Sequence, residues 1–168
     1  MKLFKQLLLV CGAMTVLANQ SLWAQTTPSG VVVWVTNAND SGTGSLRAAI
    51  ESANASSASD TIKFNIPATG IIQILVGSST GLPLPTITGK KTIIDATTQT
   101  GFGVAGNYTP LIHINGDSNY DNMGNDWTYP HDGLTINADS CEVYGLVVKH
   151  FADDGIRIIN AKHAKIGA

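Results

Sequence analysis

The period of the hydrophobic pattern changes twice along the chain. Residues 31–35, VVVWV, form an unbroken run of mostly β-branched residues, the composition of a strand. TNANDSGTGS (36–45) follows without an apolar stripe and reads as turn chemistry. The pattern then becomes helical. Leu46, Ala49, Ile50 and Ala53 fall at i, i+3, i+4 and i+7, with Ser45 as N-cap, which predicts a helix over 45–54. Arg47 and Glu51 sit four apart on its outer side. Period two returns at DTIKFNIP, where Ile62, Phe64 and Ile66 alternate with Lys63 and Asn65. GIIQILV, LPLPTIT and KKTIIDA continue as short strands separated by Gly, Pro and Ser.

From Leu111 onward the pattern echoes itself. LIHINGDS and GLTINADS share I-N-x-D-S at a spacing of 22 residues. At that spacing Ile112 meets Leu134 and Ile156, and Ile114 meets Ile136 and Ile158. Asp132-Gly133 meets Asp154-Gly155, and Tyr129 meets Phe151. A strand-rich repeat of this length points to a solenoid in which each repeat is one coil. The L-x-x-L-x-L…N pattern of a leucine-rich horseshoe is absent. Three short strands fit within one repeat, over 134–137, 142–144 and 146–149, so the expectation is a three-sided parallel β-helix of about 22 residues per coil. Coils stack about 4.8 Å apart. The aliphatic positions would then form inward stacks, and Asn115 and Asn137 an amide ladder at a turn.

The beginning of the chain changes the picture of where this fold would work. Lys2 and Lys5 precede the apolar run LLLVCGAMTVLA, and SLWAQ offers a cleavage site after Ala24, with Ala18 as a second choice. Asn19 and Gln20 interrupt the run too early for a membrane-spanning helix, and Val10 is too bulky for lipoprotein processing at Cys11. Residues 1–24 therefore read as a Sec signal peptide, with secretion or display at the surface of a Gram-negative bacterium. Their removal takes away two lysines and no acid, so the net charge moves from −2 to −4. Spread-out acidic charge excludes a nucleic-acid footprint, and no membrane span is expected after processing. Cys141 is then the only cysteine, which rules out an internal disulfide and a cysteine metal site and suits a small buried residue.

One long stretch carries a family resemblance. VTNANDSGTGSLRAAIESANASSASDTIKFNIP, followed by LPLPTITGKKTIIDATTQTGF, resembles the N-terminal segment of bacterial right-handed parallel β-helix repeat proteins of the pectate-lyase-like superfamily. SLRAAIESAN is similar to their CSLREA-type start, with Ala48 where Glu is common and Gly44 where the opening Cys stands. The resemblance covers about residues 31–103. It implies an all-β, right-handed parallel β-helix with a short N-terminal capping helix. The domain reading is 1–24 signal peptide, 25–108 N-terminal cap and irregular first coils, and 109–168 regular coils. KHAKIGA ends inside a coil without a cap, so the chain reads as the N-terminal part of a longer protein.

Candidate chemistry is sparse. Asp153 and Asp154 resemble the paired acids of polygalacturonase-type hydrolases, although the recurring Asp-Gly step is first a turn device. Asp132 and Asp154, stacked one coil apart, would have to splay, take up a proton or share a cation, for which Ca²⁺ is the candidate; no other cofactor is expected. His113, Thr135 and Arg157 would form one outward row, suited to a uronate carboxylate, with His113 or Lys149 as a base. Trp127 and Tyr129 offer aromatic faces to sugar rings. A solvated polar face explains the row equally well. The expectation is a secreted or surface scaffold that is structural, adhesive or carbohydrate-binding, with a polysaccharide or cell-surface glycan as partner. A polysaccharide lyase or glycoside hydrolase with active coils partly beyond residue 168 is the alternative.

Overall fold

The computed structural model describes residues 29–104, 109–116 and 132–167. The expected signal segment lies outside the described residues, as do Asn107, Asp117, Trp127, Tyr129 and His131.

Among the described residues, ten short strands and one α-helix follow the alternation of the sequence closely. They are β1 (Val32–Val35), α1 (Leu46–Ala55), β2 (Thr61–Phe64), β3 (Ile72–Leu75), β4 (Ile93–Asp95), β5 (Ile112–Asn115), β6 (Leu134–Ile136), β7 (Glu142–Tyr144), β8 (Leu146–Lys149), β9 (Ile156–Ile158) and β10 (Lys165–Gly167). All strand pairs are parallel and fall into three sheets. Sheet A has the order β1-β2-β4-β7-β10, sheet B β3-β5-β8, and sheet C β6-β9. Ile87 adds a single parallel bridge to Ile136 on sheet C. LPLPTIT, expected as a short strand, contributes only this bridge, because Pro83 and Pro85 lack the N–H donors that a ladder needs. From β2 onward the chain visits the sheets in a fixed rotation, A then B then C.

Alternation decides which side chains enter the core. Ile62 and Phe64 on β2, Ile94 on β4 and Val143 on β7 stack on the inner side of sheet A. Ile72 and Ile74 meet Ile112 and Ile114 on sheet B, and Leu134 and Ile136 line sheet C. These residues belong to one continuous buried cluster. Each fully buried Ile or Leu contributes about 1.5–3 kcal/mol of transfer free energy. Burial fades along the rotation: Ile158 on β9 is 47% exposed and Ile166 on β10 is 49% exposed.

The helix closes the opposite side of this core. Ser45 is its N-cap, and its hydroxyl accepts from the Ala48 N–H at 3.2 Å. Leu46, Ala49, Ile50 and Ala53 are all buried, as their spacing predicts. Arg47 is buried as well, which corrects its expected place on the outer side beside Glu51. Its guanidinium turns toward the segments around Asp40 and Pro83 rather than along the helix.

The repeat register needs a second correction. Leu134 pairs with Ile156 and Ile136 with Ile158, as the 22-residue spacing requires. Ile112 and Ile114 do not stack on Leu134 and Ile136. They lie on sheet B, where Ile112 pairs with Ile72 and Leu146, and Ile114 with Ile74 and Val148. Sheet A successors are also unevenly spaced: Ile93 pairs with Glu142, and Glu142 with Lys165, 49 and 23 residues on. An inward-outward-inward triplet is the same on every sheet, so its recurrence specifies a strand and not a partner. The intervening loops decide the partner. The Asn115–Asn137 ladder falls with this register, because the Asn115 amide bonds Gln73 and His150 instead.

The corner entering sheet A is repeated in backbone conformation. Lys91, Ser140 and His163 each stand two residues before a sheet A strand, at φ of 59°, 60° and 59°. The Lys91 N–H donates to the Asp139 carbonyl at 2.9 Å, and the Ser140 N–H to that of Lys162 at 2.7 Å, so successive corners bond to one another. Between β7 and β8 the sharp bend is made by Gly145 at φ 68°, where an added Cβ would lie 2.8 Å from the Thr97 backbone nitrogen. Gly145→Ala is therefore expected to destabilise the protein by about 1–3 kcal/mol. Ser140→Gly, which relieves a left-handed residue in an open corner, should be neutral or stabilising by a few tenths of a kcal/mol. Urea denaturation of both variants checks the pair.

Candidate functional site

Three polar constellations are found among the described residues, each built by a different sheet. The first lies on sheet C and contains most of the residues singled out in the sequence. β6 and β9 pair Thr135 with Arg157, so two members of the expected outward row are neighbours. Asp132, just before β6, is buried, with an Oδ2 that takes the Arg157 guanidinium at 3.3 Å and the Thr135 hydroxyl at 3.3 Å. Its Oδ1 accepts the Asp154 N–H at 3.2 Å. Carboxylate oxygens of Asp132, Asp153 and Asp154 lie within 4.8 Å of one another. The three acids are thus brought together, but Asp132 already serves as a brace between two successive passes of the chain. Any cation entering the group would compete with Arg157 for the same oxygen.

His113 is not part of that row. It stands on β5 of sheet B, between Gln73 on β3 and Val147 on β8. Lys149 pairs with Asn115 on the same sheet, away from Arg157 in the pairing order. His113 and Lys149 therefore stand on sheet B, while Thr135 and Arg157 stand on sheet C, which undoes the single face expected from the 22-residue register. On sheet B the Asn115 Nδ2 donates to Gln73 Oε1 at 2.9 Å, and His150 Nδ1 lies 3.0 Å from Asn115 Oδ1. Residues 38–41 of the loop TNANDSGTGS lie beside β3 at the start of this sheet.

Sheet A carries the third constellation. Glu142 on β7 accepts from the Tyr144 hydroxyl at 2.5 Å and from the Lys165 ammonium at 2.6 Å. The Lys165 and Tyr144 hydrogen bonds hold the Glu142 carboxyl below its ordinary value, and the same carboxylate raises both the Tyr144 phenol and the Lys165 ammonium. All three groups are solvent-facing, so this is a surface network of modest energetic weight.

Among the described residues, the acid with the fullest set of hydrogen bonds is Asp40, which the sequence did not single out. Asp40, within the loop that leads into α1, is 4% exposed and carries six hydrogen bonds. Oδ1 accepts from Arg47 Nη2 and from the Gly77 N–H, both at 2.8 Å. Oδ2 accepts the N–H and hydroxyl of Ser79 and of Thr80, at 2.7–3.2 Å. Arg47 in turn donates to the Asp40, Pro83 and Leu82 carbonyls. Burial alone would raise the Asp40 pKa. The Arg47 guanidinium, the Gly77 N–H, the Thr80 hydroxyl and the Ser79 N–H outweigh it and hold the carboxyl well below the usual carboxylate range. With every lone-pair direction occupied, this carboxylate is a brace and not an acid or base. In the sequence it looked like one more turn residue; the only hint was a helix arginine four residues from an acid it does not use.

Beside this brace lies an open cleft of about 420 Å³, lined by residues 38–41 together with Gln73, Leu75, Ser78 and Ser79. Cys141, by contrast, is buried inside the core, where desolvation raises its thiol pKa. No helix among the described residues is long and apolar enough to cross a membrane. No family model and no curated protein matches the chain.

Removing the Asp40 charge leaves Arg47 buried without its partner, so Asp40→Asn should cost about 3–5 kcal/mol. Thr80→Val, which deletes one donor, should cost about 1 kcal/mol. The folded-state pKa of Asp40 is depressed, so its stabilisation is present above its ordinary value of 3.8 and is lost progressively as pH falls below it. Denaturation midpoints measured from about pH 5 down to about pH 2 should fall more steeply for the wild type than for Asp40→Asn.

Proposed function

We propose that the chain is a right-handed parallel β-helix, exported to the cell exterior, that acts as a non-catalytic scaffold binding a surface or matrix glycan. The observation that carries the reading is the fixed rotation of the chain through three parallel sheets, with aliphatic stacks facing inward on each. Parallel crossovers are right-handed in about 98% of cases, which supplies the hand. Such a framework presents long polar faces to solvent, and polar faces built on a rigid stack suit recognition of an extended polymer.

The non-catalytic part rests on how the acids are used. Hydrolysis or lyase chemistry requires a carboxylate or base that is poised for a proton or a reacting carbon. Asp40 is saturated by six donors, and Asp132 is bridged to Arg157, Thr135 and the Asp154 backbone. Arg157, the residue that would read a uronate carboxylate, is half-engaged by Asp132 before any substrate arrives. Incubation with a panel of polyuronates, with and without Ca²⁺, is expected to release no unsaturated sugar, monitored by ultraviolet absorbance. Product formation would transfer the reading to a polysaccharide lyase, and release of reducing ends without unsaturation to a glycoside hydrolase.

Ca²⁺ belongs to the same proposal as a structural ligand of Asp132, Asp153 and Asp154. Because Arg157 occupies Asp132 Oδ2, Ca²⁺ should raise the thermal midpoint more in Arg157→Gln than in the wild type. Equal midpoints with Ca²⁺ and with chelator in both proteins would remove the ion from the scheme.

A further inference from the structure

We infer that the cleft between the Asp40 loop and β3 is a binding site for a neutral, hydroxyl-rich ligand, a pyranose unit of an uncharged glycan. The inference rests on the glycan-scaffold reading and gives it a place and a chemical class. At about 420 Å³ the cleft falls within the range of small-ligand sites.

Its walls come from segments far apart in sequence, the loop at 38–41 and the turn at 78–79, with Gln73 and Leu75 of β3 between them. The Asp40 carboxylate ties the two walls together, since it belongs to the first and bonds Ser79 and Thr80 in the second. The Ser41 and Ser79 hydroxyls close the tie at 3.2 Å. A cleft held in this way needs little ordering on binding, which preserves affinity.

The lining has a specific balance of donors and acceptors. Ser79 gives its hydroxyl proton to Asp40, so Ser41 is the donor in the Ser41–Ser79 pair and keeps its own lone pairs for an incoming donor. Ser78 gives its proton to the Leu75 carbonyl and is likewise left as an acceptor. Gln73 uses Oε1 to accept from Asn115, which leaves its Nε2 as a donor; Asn39 donates its backbone N–H to Asn37 Oδ1, while its side-chain amide makes no hydrogen bond among the described residues. Leu75, 40% exposed, supplies an apolar patch. The one charged group, Asp40, is turned to its own brace and matched by Arg47. Paired donors and acceptors around a small apolar surface, without a free charge, complement vicinal hydroxyls on a sugar ring. They do not complement a carboxylate or a phosphate, which demand a cation or a cluster of N–H donors.

The test uses the whole protein with cellotriose, galactobiose and tri-N-acetylglucosamine as neutral probes and trigalacturonate as the charged one. Backbone amide shifts in the wild type should move at Ser41, Ser78 and Ser79 on addition of at least one neutral probe, and not with trigalacturonate. Gln73→Ala and Asn39→Ala each remove one side-chain partner and should weaken that binding by about tenfold; Asn39→Ala should leave the thermal midpoint unchanged, whereas Gln73→Ala also removes the acceptor of the buried Asn115 amide and should lower it. Leu75→Ala provides a third variant on an exposed position. Binding of a glycan with shifts confined to Thr135 and Arg157, or undiminished in these variants, would overturn the cleft while leaving the scaffold reading intact. No binding of any of the four probes would overturn both.

Discussion

Parallel strands of three or four residues cannot stand alone, and the backbone ladder between successive passes of the chain is the constraint on which the rest depends. Every such strand leaves N–H and C=O groups on both sides, and each must find a neighbour in the same orientation. Here the ladder runs β1-β2-β4-β7-β10 on one side and β3-β5-β8 on the next. Once those registers are set, side-chain alternation follows, with Ile62, Ile94 and Val143 directed into one column and Ile72 with Ile112 into another. The corners follow too. Lys91, Ser140 and His163 share one left-handed conformation because each must turn the chain into the same sheet at the same point.

A stack of this kind has to manage its ends. At the β1 end α1 lays Leu46, Ala49, Ile50 and Ala53 over the core, and Asp40 fastens the loop that leads into it. The fastening is electrostatic and geometric together. A buried carboxylate is costly unless its lone pairs are filled, and six donors from Arg47, Gly77, Ser79 and Thr80 fill them. The consequence reaches the surface. The same bonds that satisfy Asp40 tie together the two walls of the neighbouring cleft, so the means of closing the core also shapes that cleft.

Much of the local architecture was legible in the residues. Helix 45–54 differs from the observed Leu46–Ala55 by one residue at each end, Ser45 is the N-cap as expected, and the strands at 142–144 and 146–149 coincide with β7 and β8. The Asp-Gly echo at 132 and 154 also stacks as expected, the Gly133 N–H donating to the Asp154 carbonyl. The site was far less legible. Thr135 and Arg157 are neighbours because the chain returns to sheet C 22 residues later, after passing through β7 and β8, whereas His113 was assigned to their row only because its strand repeats the same triplet. Asp40 was missed because five of its six donors, at 77–80, are nearly forty residues away and are ordinary turn residues in sequence, while the sixth, Arg47, was set beside Glu51 on the outer side of the helix.

The sequence by itself determined the period-two strands, the helix with its apolar stripe, and which side chains point inward. Those properties depend on residues within a few positions of one another, where sterics and alternation leave few choices. Only the tertiary structure decided which strand lies beside which, because a short aliphatic triplet fits every sheet and the length of the loop between triplets selects the partner. It decided the charge state of Asp40 and the direction of Arg47 for the same reason. A buried ion is defined by what surrounds it, and here the surroundings come from another turn of the chain.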